Sequence, residues 1–295
     1  MPVFYRRLPK FRLVAPKTIE EAILFLADHK GAVSLMAGGT DLIPNLKRRE
    51  IASPEYVLDL KGLSDLRRIS YDHREGLYIG ALATIHRISQ YPAVRDSYAS
   101  LVQAASRMAS PQIRNRGTFG GNICSAIPSA DSAPPLLTLD ASVHLRGPKG
   151  ERAIPLDQFF KGPGKTVLEH DEIVTALTLS KPPARSVYLK LSPRHSMDLA
   201  IVGVAVAAGA NGGGLSDIRI ALGAVAPTPM RARKAEEVLR NRPVSTSAIE
   251  EAAHAASLEC SPIDDFRASA SYRRDMVYVL TRRALEQVLG GSGGE

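Results

Sequence analysis

Two glycine pairs, far apart in the chain, constrain this sequence more than any other feature. The first is Ala37-Gly38-Gly39-Thr40-Asp41-Leu42; the second is Arg114-Asn115-Arg116-Gly117-Thr118-Phe119-Gly120-Gly121-Asn122. Without Cβ atoms, adjacent glycines let backbone amides approach an anion closely, so each stretch reads as an anion cradle. The first follows the apolar run Ala32-Val33-Ser34-Leu35-Met36, which predicts a short strand with the cradle at its carboxyl end, where open α/β layers place ligands. Two separated cradles suit one diphosphate lying extended between two subdomains. Neither has the Gly-x-Gly-x-x-Gly of a dinucleotide fold or the Gly-Lys-Ser/Thr of a P-loop, which counts against ordinary NAD and ATP folds. The chain also lacks His-Glu-x-x-His, Gly-x-Ser-x-Gly and Cys-x-x-Cys, so hydrolase and zinc readings have no anchor.

Around the cradles the pattern alternates helix and strand. Thr18-Ile19-Glu20-Glu21 has the form of a capping box, and Ile19, Ala22, Ile23 and Leu26 recur at helical spacing, predicting a helix that stops near Gly31. Strands are predicted at 33–36, 56–60 and 77–81, with Thr84 leading into a helix and another helix over 100–108, broken by Pro111. Pro134-Pro135 predicts an extended exit from the second cradle. Gly147-Pro148-Lys149-Gly150 predicts a hairpin joining strands at 141–145 and 151–155, and a strand follows at 172–179. Lys181-Pro182-Pro183 reads as a linker, dividing the chain into domains at 1–180 and 184–289, with a disordered tail at 290–295. In the second domain, strands at 186–191, 200–208 and 218–224, the last two joined by a loop at 211–214, predict an antiparallel sheet. Helices follow at 232–239, 247–257 and 271–289.

Composition narrows the function. Of 295 residues, 44% are hydrophobic and 23% charged, an ordinary globular balance. The net charge of +8 is scattered and aromatic residues are only 5%, which leaves few stacking platforms and argues against nucleic-acid binding. The longest nearly apolar run, 199–210, falls short of the roughly 20 residues of a membrane span. No apolar signal core follows the basic N-terminus, so a cytoplasmic location is expected. The two cysteines, Cys124 and Cys260, are too few for a four-thiolate cluster or a structural zinc site, and no metal is expected on this chain.

The cradle motifs, with Ser129-Ala130-Asp131, resemble those of the FAD-binding medium subunit of molybdenum hydroxylases, the family of xanthine dehydrogenase, carbon monoxide dehydrogenase and 4-hydroxybenzoyl-CoA reductase flavin portions. The resemblance extends to the C-terminal domain through Ala221-Leu222-Gly223-Ala224-Val225-Ala226-Pro227-Thr228-Pro229 and Ala268-Ser269-Ala270-Ser271-Tyr272-Arg273-Arg274. It implies an α+β fold: a p-cresol-methylhydroxylase-type FAD domain of two α/β subdomains, then a domain with a three-stranded antiparallel sheet and helices. It also implies FAD here, with a molybdenum cofactor on a large partner subunit and two [2Fe–2S] clusters on a small one, assembled as a dimer of heterotrimers. The implied activity is an oxidoreductase in which this chain passes electrons from the clusters to an external acceptor; a self-sufficient flavin oxidase on the same fold is the alternative.

By the same resemblance the FAD-binding residues are Leu35, Met36, Ala37, Gly38, Gly39, Thr40, Asp41 and Leu42 in the first cradle and Thr118, Gly120, Gly121 and Asn122 in the second. Met108, Ser129, Asp131, Val174 and Lys190 complete the set, Asp131 as acceptor of FAD hydroxyl hydrogens and Lys190 as a cation near the flavin edge. No side chain is assigned as catalytic, because the cofactor performs the redox chemistry and the protein places it. Residues 191–201 match a mobile loop beside the flavin in some relatives, although Ser192-Pro193-Arg194 departs from the commoner Ser-Arg-Arg form. The chain has no cysteine-bearing insertion after Cys124, unlike the 4-hydroxybenzoyl-CoA reductase branch, so no [4Fe–4S] cluster is expected.

Overall fold

The computed structural model of the chain describes residues 7–194, 196–211, 214–240 and 242–290. Its first layer is a parallel three-stranded sheet in the order β1-β3-β2, built from β1 (Arg12–Val14), β2 (Val33–Met36) and β3 (Tyr56–Asp59). Helix α1 (Ile19–Asp28) covers it, burying Ala22, Ile23 and Leu26 with Leu58 and Leu60. The capping box forms with one change: Thr18 Oγ accepts from the Glu21 amide at 3.1 Å, but the Glu21 carboxylate accepts from the Lys17 amide, at 2.8 Å. Helix α2 (Leu42–Arg48) follows the first glycine pair.

The second layer is a five-stranded sheet, antiparallel throughout. Strands β4 (Ile69–Asp72) and β5 (Gly76–Gly80) lead into helices α3 (Ile85–Gln90), α4 (Pro92–Ser97), α5 (Ala99–Arg107), α6 (Pro111–Arg114), α7 (Phe119–Cys124) and α8 (Ala133–Thr138). The hairpin β6 (Ser142–Gly147) and β7 (Gly150–Pro155) comes next, turning on Pro148-Lys149 as its sequence predicts. After α9 (Leu156–Phe159) and the short ribbon β8 (Phe160–Gly162) with β9 (Lys165–Thr166), β10 (Ile173–Leu179) inserts between β5 and β6. Apolar faces of these strands bury Leu77, Ile79, Val143, Leu145 and Leu177 against Leu101, Phe119 and Leu136 of the helices.

One sequence expectation fails here. Pro134 and Pro135 lie in the first turn of α8 instead of an extended exit, because the amides that proline lacks are unpaired at a helix start anyway. Gly120 and Gly121 of the second cradle sit in the first turn of α7, capped by Thr118.

The C-terminal sheet has the order β11-β12-β13-β14 and is antiparallel: three long strands, β11 (Arg185–Leu191), β12 (Val202–Asn211) and β13 (Gly214–Gly223), with a two-residue edge strand β14 (Met230–Arg231). Of the expected loop at 211–214, Gly212 and Gly213 lie outside the described residues, as does the expected tail beyond Gly290. Helices α10 (Arg233–Leu239), α11 (Thr246–Glu259) and α12 (Ala270–Leu289) cover one face, burying Val204, Val206, Leu222, Ala252, Val277 and Leu285. The other face meets the first domain, where Tyr188 and Ala205 pack on Ala104 of α5.

Buried charge reinforces that junction. The Arg231 guanidinium grips Glu236 through two hydrogen bonds of 2.5 and 2.9 Å and reaches Asp140 at 2.9 Å, just beyond α8. Glu236 is 8% exposed and also accepts from the Ile220 amide at 2.9 Å. Arg231→Ala leaves that carboxylate buried without its cation, so a loss of about 3–5 kcal/mol is expected in urea denaturation. On α12, Arg273 donates to Asp265 at 2.8 Å. Burial of Asp265 opposes its ionisation, but hydrogen bonds from the Arg267 amide and guanidinium and the Arg273 charge outweigh it, lowering the pKa from 3.8 to about 2. This folded-state value lies below the unfolded one, so its stabilisation is present above about pH 4 and fades as pH falls toward 2. Asp265→Asn is therefore expected to flatten the acid limb of thermal stability, measured by circular dichroism between those pH values.

Candidate functional site

A cleft of about 650 Å³ opens between the parallel layer and the antiparallel layer, within the size range of cofactor sites. One wall is the turn from β2 into α2, the other is the segment from Gly117 through α7, and residues 197–199 of the C-terminal domain close one side. The walls meet backbone to backbone. A Cβ on Gly38 would stand 2.1 Å from the Arg116 carbonyl oxygen, so only glycine permits this approach. Gly39 adopts φ +74°, a left-handed conformation that turns the chain into α2. A Cβ on Gly121 would face Ala37 across the seam at 3.8 Å. Asp41 locks the junction by accepting from the Ser125 hydroxyl at 2.6 Å.

Donors face this seam. Among the described residues, the amides of Gly38, Gly39, Thr40 and Asp41 have no protein acceptor, nor does that of Gly120 at the start of α7. The Gly121 amide is different: it donates to Thr118 Oγ at 2.9 Å, so this glycine supplies a Cβ-free surface and not a free donor. Gly120 is held by packing, since a Cβ there would lie 2.6 Å from the Ala81 carbonyl oxygen. Asn122 Oδ1 accepts from the Ser132 hydroxyl at 2.6 Å, which leaves Nδ2 as its free donor.

All the residues expected from the two cradles line this one cleft, and Met108, Ser129, Asp131 and Val174 join them. Lys190 does not. Its ammonium, on a side chain 2% exposed, donates to Asp131 Oδ2 at 2.7 Å, the Asp198 carbonyl at 2.9 Å and the Arg107 carbonyl at 3.3 Å. Through these bonds it braces Asp131 and Asp198, which do line the cleft. Tyr188 donates to the other Asp131 oxygen at 2.6 Å. Burial pushes the Asp131 carboxyl pKa up, against the pull of Lys190 and Tyr188, and burial with the Asp131 charge drives Tyr188 well above its usual value of 10. A carboxylate with two such donors retains lone pairs for a ligand hydroxyl.

Other lining residues escaped sequence reasoning. Leu168 and Ile173 flank Val174 on the apolar end with Leu35, and Gly164 enters from a turn at φ +70° that its Gly-Pro-Gly context could have signalled. Met197, Asp198 and Leu199 arrive from the other domain; they were not among the expected binding residues, although they lie in the 191–201 stretch that the resemblance marks as a loop beside the flavin. Cys124 also lines the cleft; burial pushes its thiol to about 12, so it stays protonated and un-nucleophilic. The arrangement combines free amide donors with apolar lining residues.

Residues 9–182 match the family described as the FAD binding domain in molybdopterin dehydrogenase, and residues 187–288 match the CO dehydrogenase flavoprotein C-terminal domain. The chain is 34% identical over 281 residues to the xanthine dehydrogenase FAD-binding subunit of Escherichia coli O157:H7, covering 94% of this chain and 96% of the relative. It is 35% identical over 282 residues to the carbon monoxide dehydrogenase medium chain of Hydrogenophaga pseudoflava, with coverage of 94% and 96%. A solved carbon monoxide dehydrogenase from that organism superposes with a TM-score of 0.90 at 35% identity, covering 95% of this chain and 97% of the other. Quinoline 2-oxidoreductase from Pseudomonas putida 86 gives a TM-score of 0.89 at 29% identity, covering 97% and 99%. Matched over nearly its whole length in both domains, the chain belongs to the family of FAD-binding subunits of molybdopterin dehydrogenases.

Proposed function

We propose that this chain is the FAD-binding electron-transfer subunit of a multisubunit molybdenum hydroxylase, passing electrons from [2Fe–2S] clusters of a partner subunit to an external acceptor. The observation that carries the reading is the seam of free amides where Gly38 meets Arg116, at the centre of a cleft large enough for a dinucleotide. The residues that line the cleft fit FAD. The amides of Gly38, Gly39 and Thr40 and the Asn122 carboxamide would hold the diphosphate, with Thr118 and Gly121 shaping that wall. Asp131 would accept from chain hydroxyls, and the apolar ends, Leu35 with Val174 and Met108 with Met197, would cover flat rings and exclude water from them. Bound FAD supplies the capacity to take up and release electrons; the protein holds it in register and tunes its surroundings.

The same reading places the molybdenum cofactor on a large partner subunit and the two clusters on a small one, in a cytoplasmic dimer of heterotrimers, with domain limits here at 1–180 and 184–289. Support comes from the relatives, which are named as subunits or medium chains, and from the shortage of thiolates in this chain. A self-sufficient oxidase has no such support. No helix among the described residues is long and apolar enough to cross a membrane.

The direct test is to purify the chain under native conditions: one FAD per chain and two co-isolated chain types are expected, and colourless protein that binds no added FAD would overturn the reading. Gly38→Ala should fold yet bind FAD at least about tenfold more weakly in a fluorescence titration, because its methyl must force the cradles apart. Asn122→Asp exchanges the free donor for an anion beside the diphosphate, and FAD affinity should fall about tenfold to a hundredfold with little change in melting temperature.

A further inference from the structure

Arg273, on the far side of the C-terminal sheet from the cleft, is 2% exposed, and its hydrogen bonds are unusual in reach. The two hydrogens of Nη1 go to the carbonyls of Ile201, at 2.7 Å, and Ala224, at 3.1 Å, while Nη2 meets Asp265 at 2.8 Å. The Ile201 carbonyl sits at the root of a segment that lines the cleft, and Ala224 bonds directly to the start of another. Ile201 donates its amide to the Leu191 carbonyl at 2.8 Å, and the residues just before it, 196–200, deliver Met197, Asp198 and Leu199 to the cleft. Ala224, held at φ +66°, donates its amide to the Pro128 carbonyl at 2.8 Å, immediately before Ser129, Ala130 and Asp131 on the cleft wall.

Resting on the FAD reading above, we infer that Arg273 is a positioning residue for the cofactor cleft, setting from behind the sheet both the 196–200 segment and the 128–131 wall. The planar guanidinium is suited to this because its fork fixes two carbonyls at a set separation, and Asp265 supplies the countercharge that lets it stay buried. The two segments it holds converge on Lys190, which bonds the Asp198 carbonyl and the Asp131 carboxylate together. A shift at either strand end is thereby transmitted to the same buried ion pair.

The test compares Arg273→Met, Arg273→Lys and Val277→Ala in the full chain; Val277 is a buried core residue of the same helix. Hydrogen–deuterium exchange is followed by peptide, with and without FAD, alongside FAD titration and the visible flavin spectrum. For Arg273→Met, exchange in 196–200 and 127–131 should rise about tenfold, as expected for local opening. FAD should bind about tenfold more weakly, with a shifted flavin band. Arg273→Lys should keep the countercharge and much of the melting temperature but not restore tight binding, and it carries the same readouts if the Met variant does not fold. Val277→Ala should lower the melting temperature while leaving both segments and the FAD affinity within about twofold. Unchanged exchange in those segments for the Arg273 variants, or an equal rise in Val277→Ala, would overturn the inference. Wild-type chain that binds no FAD while the exchange pattern holds would instead sink the cofactor reading and leave the positioning role standing.

Discussion

The contact on which the site depends is a backbone one. Gly38 comes so close to the Arg116 carbonyl that no side chain fits between them, and this is where the parallel layer and the antiparallel layer touch at the ligand. Everything that makes the cleft specific follows from that approach: amides on both sides turn toward the same space, and Asp41 can reach Ser125 across the seam. A side-chain contact could relax by changing rotamer, whereas backbone packed on backbone has no such freedom, so the spacing of the donors is set rigidly.

Buried ions mark the positions where geometry matters most. Asp131 with Lys190, Glu236 with Arg231 and Asp265 with Arg273 all sit at junctions, one at the cleft wall, one between the domains and one behind the cleft-lining strand ends. Taking charges out of water is costly, and an apolar pair would fill such sites as stably. What an apolar pair lacks is direction. A guanidinium or ammonium must point its hydrogens at particular oxygens, and here those oxygens belong to elements distant in sequence.

Local chemistry was a sound guide wherever a short stretch determines its own conformation. Thr18 caps α1, Thr84 caps α3, and Pro148-Lys149 turns the β6–β7 hairpin, each because a nearby amide or φ preference settles the matter. It misled where one residue type suits two settings. Proline begins helices as readily as it ends them, so Pro134-Pro135 could be read either way, and the buried first turn of α8 decided it. Glycine marks free donors and close packing alike, and only the neighbours separate the capped Gly121 amide from the unpaired one at Gly39.

By itself, then, the sequence determined the cradles, the order of helices and strands and the family, because spacing and residue type are written along the chain. The tertiary structure alone decided that both cradles face one cleft and that β10 inserts between β5 and β6. It also paired Lys190 with Asp131: a strand position can place a lysine on one face of a sheet, but only folding brings it to a carboxylate 59 residues away in sequence. Such pairings carry no local signature, since the partners meet only after the domains close, and the low dielectric that strengthens their attraction exists only once they have closed.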